Sequence, residues 1–76
     1  MNSQYIDLRE NASPAEAAMV HAENATRTPM NEEGKFLMMD CVKQAMDALD
    51  KVHHSDQITP DIVRGKIGRA QSRFGF

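Results

Sequence analysis

The chain has 76 residues, 41% of them hydrophobic and 26% charged, with a net charge of −2. That bounds it to one small domain and excludes a barrel or a doubly wound sheet. A chain so short buries only roughly 60% of its unfolded surface, so its core needs a supplement. Its single cysteine, Cys41, excludes an internal disulfide and a multi-cysteine zinc site, which leaves self-association or a partner as the expected supplement. No apolar run approaches the roughly 18 residues of a membrane span, and the polar residues 1–10 do not read as a signal peptide. The cytoplasm is the expected compartment.

Residues 1–12 form a short N-terminal arm in which Tyr5, Ile6 and Leu8 suit docking across a partner, or else fray. Residues 5–8 are the one stretch that suits a short strand. Residues 13–76 then read as a single helical domain. Ser13-Pro14, Thr28-Pro29 and Thr59-Pro60 each put a hydroxyl before a proline, the pattern of an N-cap followed by the first helical residue. Ser13 with Glu16 makes a capping box, and Ile58 with Val63 a hydrophobic staple. The fold expected is all-α: an antiparallel helical hairpin plus a third amphipathic helix.

The first helix is expected over residues 14–26. It is alanine-rich, with Met19 and Val20 its only large apolar groups, so it offers a smooth face but little area to bury. The second is expected over residues 29–52, unless Gly34 weakens the first turns and Asn31 becomes the cap. Met38, Val42, Ala45, Leu49 and Val52 recur at spacings of four and three and form its seam. Met39 and Met46 widen that seam on one side, Cys41 and Ala48 on the other. So broad a face calls for two neighbours or a second chain. A polar link over residues 53–57 leads to the third helix, expected over residues 60–73. Its apolar stripe is Val63, Ile67, Ala70 and Phe74.

Charge is uneven. Residues 1–57 hold five basic and ten acidic side chains, net −5, whereas residues 58–76 hold four basic and one acidic, net +3. Arg64, Lys66, Arg69 and Arg73 are therefore the candidate contacts for an anionic partner, against the plainer reading of a solvated face. Lys66, Arg69 and Arg73 share one side of the helix, where they are expected to stay free while the stripe packs inward.

Other chemistry is weaker. His53 and His54 point about 100° apart on a helix and would not share one ion, so with Asp56 they read as a solvated helix end rather than a metal site. Cys41 lies on the seam, where a cysteine acts as a small hydrophobe rather than a nucleophile. Gly65-Lys66-Ile67-Gly68 has the spacing of a KH-domain backbone clamp but lacks the sheet that such a clamp needs. A helix-turn-helix fails upstream, where His53 and Gln57 stand at the positions for a small residue and the turn glycine. No catalytic residue, cofactor or metal is expected.

Six methionines remain to be placed. Met38 and Met46 read as core. Phe36, Leu37, Met38 and Met39 run consecutively and cover most of the helix circumference, more than one face can bury. Phe36, Leu37, Met39 and Met46 are accordingly the candidate partner interface. In size and make-up the chain resembles small bacterial or phage accessory proteins that act by binding, a likeness attached to no particular residue. The expected function is non-enzymatic: protein–protein contact, as a homo-oligomer or with another protein, and no membrane. The alternative is a binder of phosphate-bearing ligands, nucleic acid or a nucleotide, through the basic helix.

Overall fold

A computed structural model describes residues 11–52 and 60–76. Three helices follow in order: α1 (Pro14–Ala25), α2 (Glu32–Leu49) and α3 (Pro60–Ser72). The all-α expectation holds over these residues. Most of the N-terminal arm, the stretch at 5–8, the His53, His54 and Asp56 cluster, and Ile58 and Thr59 all lie outside them.

The first helix starts where its cap places it. Ser13 has extended backbone angles, its Oγ accepts from Glu16 N at 3.2 Å, and Pro14 takes the first helical position, where no backbone donor is needed. Helix α2 starts at Glu32 rather than at residue 29, the alternative in which Asn31 is the cap. Asn31 is its cap, with Oδ1 accepting from Gly34 N at 2.7 Å. Thr28 is buried instead and faces backwards: its Oγ1 donates to Ala25 O at 3.3 Å, satisfying a carbonyl at the end of α1. A threonine before a proline thus closes the preceding helix here, because the asparagine three residues on is the better N-cap. The far end of α2 is also shorter than expected, and Val52 lies beyond it, half-buried.

Gly34 has a specific role in this start. The first turn of α2 lies so close to the incoming chain that a Cβ at Gly34 would overlap the Pro29 carbonyl. What reads in the sequence as a weak point is the place where two backbones meet without a side chain between them.

Helix α1 lies between the other two, packing most extensively on α2 and less on α3, while α2 and α3 meet least. Ala18, Ala22 and Ala25 repeat at helical spacing and are wholly buried, since an alanine face lets both neighbours come close. Met38, Val42 and Ala45 of α2 and Val63, Ile67 and Ala70 of α3 complete the core. Leu49, placed on the seam, is only partly buried at the core edge with Met19, Cys41, Ala48 and Phe74. The seam is therefore deepest in the middle of α2 and shallow towards its C-terminal end.

Candidate interaction surface

The middle of α2 must present its apolar excess somewhere, because α3 leans on α1 rather than closing over α2. Met38 takes the core at 1% exposure, whereas Met39 is 47% and Met46 55% exposed. Met46 therefore corrects its core reading: it stands about 80° around the helix from Met38, outside the arc that α1 covers. Phe36, 62% exposed, is about 60° from Met39 and lies on the same side. Leu37, 38% exposed, stands about 160° from Met39, on the opposite flank. The structure thus gathers Phe36, Met39 and Met46 and separates Leu37 from them.

Beside these methionines runs an open groove of about 440 Å³, lined by Met39, Val42, Lys43, Met46, Asp47 and Asp50 of α2 and Gln71 of α3. The groove exists because the alanine face of α1 draws each neighbour to itself and leaves a gap between them. Flexible thioethers on one wall suit a surface that adapts to an apolar side chain from outside. Gln71 was not singled out as a site residue, and the pattern that places it there, a polar residue on the flank of α3 facing α2, has no signature in the sequence.

Two of the four candidate cations, Lys66 on α3 and Arg73 just after it, are engaged within the chain. Lys66 Nζ lies 2.8 Å from Glu23 Oε2 on α1, and Arg27 joins the same carboxylate at 3.3 Å. The Arg73 guanidinium donates to Thr26 O at 2.5 Å and Thr28 O at 2.6 Å, capping the carbonyl end of α1 and the loop after it. It also lies 5.6 Å from the Phe74 ring centre. Among the described residues Arg64 makes only a long, exposed contact of 4.0 Å with Asp61, on the other side of α3, and Arg69 is exposed. The four cations therefore do not converge on one face. These pairings span 43 to 47 residues, so no local pattern signals them.

Two expectations follow. Arg73→Gln should destabilise the fold by roughly 1–3 kcal/mol in a urea melt, because two charge-assisted bonds are lost and carbonyls at the end of α1 are orphaned. An unchanged midpoint would mean that the guanidinium is not held there. Glu23 is the acid-sensitive group. The hydrogen bond from Lys66 is the largest influence on it and, with Arg27, holds its carboxyl below the ordinary value despite partial burial. A carboxylate depressed on folding adds stability at neutral pH that disappears as the pH falls through its folded value. Thermal melts should therefore lose stability below about pH 4.5, the ordinary value for this group. Glu23→Gln should flatten that decline, and an identical acid profile in wild type and variant would contradict the assignment.

Burial pushes the Cys41 thiol up, with a smaller push from Asp40, so it stays protonated at neutral pH, the opposite of an activated nucleophile. Among the described residues, no group of three or more histidine, cysteine, aspartate or glutamate side chains is placed to hold a metal ion. No described helix is long and apolar enough to cross a membrane. No known protein family matches the chain, nor does a curated protein or a solved structure.

Proposed function

We propose that the chain is a non-enzymatic accessory or regulatory protein that works by protein–protein contact through the outward side of α2. The observation that carries this reading is the exposure of Met39 and Met46 along one groove, with Phe36 beside them. Exposed apolar area concentrated on one side of a small domain marks an interaction site more often than it marks ordinary surface. A lone free thiol suits a reducing compartment, and the cytoplasm is the proposed place of action. The phosphate-binding alternative is weaker, since Lys66 and Arg73 would have to leave Glu23 and the α1 carbonyls to meet a ligand.

Affinity capture from cell extract separates the two. Protein–protein contact predicts a retained polypeptide that survives nuclease and added salt and is lost with the double variant Met39→Glu, Met46→Glu. Retention that disappears with nuclease, or falls steeply with salt while ignoring that variant, would replace this reading by the phosphate one.

A further inference from the structure

The outward side of α2 carries a pattern that is complementary to itself. Met39, Met46 and Asp50 line the groove, and Lys35, outside its lining, lies within about 60° of arc with them. Their spacing is symmetric: Lys35 stands four residues before Met39, and Asp50 four residues after Met46. One antiparallel register therefore sets Met39 against the partner's Met46 and, at the same time, Lys35 against the partner's Asp50. Its two-fold axis passes beside Val42 and Lys43, near the middle of α2, so the two helices overlap over about 21 Å. A parallel pairing would instead oppose lysine to lysine and aspartate to aspartate.

Charge within the chain favours the same occupant. The last turn of α2 holds no basic residue, and Asp50 caps it, where the helix dipole is already negative. A lysine brought from outside offsets that unfavourable end, and the antiparallel copy supplies one at each end of the interface. Lys35 Nζ is 5.2 Å from the centre of the exposed Phe76 ring, so apolar surface continues beneath the cation at that end. Lys43 lies at the edge of the arc near the axis, where its stem can cover apolar surface while its charge stays in water.

We infer that the partner of this surface is a second copy of the chain, joined through α2 in an antiparallel, two-fold dimer with Met39 packed on the partner's Met46. The inference rests on the proposed interaction role of α2 and names its occupant.

Sedimentation of the full chain should give twice the 8.5 kDa chain mass at micromolar concentration. Met46→Glu should sediment as the single chain while keeping its helical circular dichroism. Lys35→Asp and Asp50→Lys should each weaken the dimer roughly three- to tenfold, with recovery in the double variant. Cysteines fix the register, in a Cys41→Ala background. Chains with Met39→Cys and Met46→Cys should cross-link when mixed. Met39→Cys alone should not, because its two copies lie about 10 Å apart along the axis, beyond disulfide reach. Cross-linking of Met39→Cys alone as fast as the mixture would overturn the antiparallel register. A chain that stays monomeric at every concentration overturns the dimer. If that monomer still captures a polypeptide that the Met39→Glu, Met46→Glu variant loses, the interaction role stands with a different partner; if the variant makes no difference, the interaction role falls with the dimer.

Discussion

Met38→Ala should cost about 2–5 kcal/mol, a large share of the stability of a domain of this size. Met38 is the bulkiest of the fully buried side chains, and it points from the middle of α2 into a core otherwise built mostly of alanines, valines and one isoleucine. Small neighbours cannot swing in to fill the space a methionine leaves, so the cavity term adds to the lost transfer energy. Two other sites on α2 calibrate the effect. Leu49→Ala should cost on the order of 1 kcal/mol, since its side chain is only partly buried at the core edge. Gln44→Ala should stay under about 0.5 kcal/mol, losing an exposed hydrogen bond to Asp40. Urea melts of the three variants should rank Met38, Leu49, Gln44. Equal shifts at Met38 and Gln44 would mean that the helix is rotated from the orientation described.

Gly34→Ala should also destabilise, by about 1–3 kcal/mol or more, although alanine is the better helix former by about 1 kcal/mol. Sterics win because the added Cβ meets backbone, the Pro29 carbonyl, rather than the movable end of a side chain. That backbone cannot retreat freely: next to it, Thr28 is tied to Ala25 O through its hydroxyl and to Arg73 through its carbonyl. The same substitution at Gly65 or Gly68 of α3 should do the reverse and stabilise by about 0.5–1 kcal/mol, since no described residue lies within 4 Å of a Cβ there. Chemical denaturation of the three alanine variants checks the contrast in sign. A stabilised Gly34→Ala would show that the loop and α2 are not in contact.

Both predictions turn on the same distinction. The presence of three helices was legible because it depends on neighbours in sequence: a serine before a proline, an asparagine three residues before a glycine, apolar groups every three or four residues. Val63, Ile67 and Ala70 face inward as their spacing requires, and so do Met38, Val42 and Ala45. The exact start of α2 was harder, because Thr28 and Asn31 both qualify as caps and only packing chooses between them. Thr28 is drawn into the junction of α1 and α3, which leaves Asn31 to begin the helix.

The candidate surface divides along the same line. That α2 carries more apolar area than one neighbour can cover follows from the sequence alone, since Phe36, Leu37, Met38 and Met39 occupy most of its circumference. Which of them stay outside depends on where α3 lies. By packing on α1, α3 leaves Met39 and Met46 in the open, and it brings Lys66 to Glu23 and Arg73 to the carbonyls of Thr26 and Thr28. Local periodicity decides which residues share a face of a helix. The partner of that face is decided by how the helices cross, through contacts between residues more than forty positions apart that leave no periodic trace in the chain.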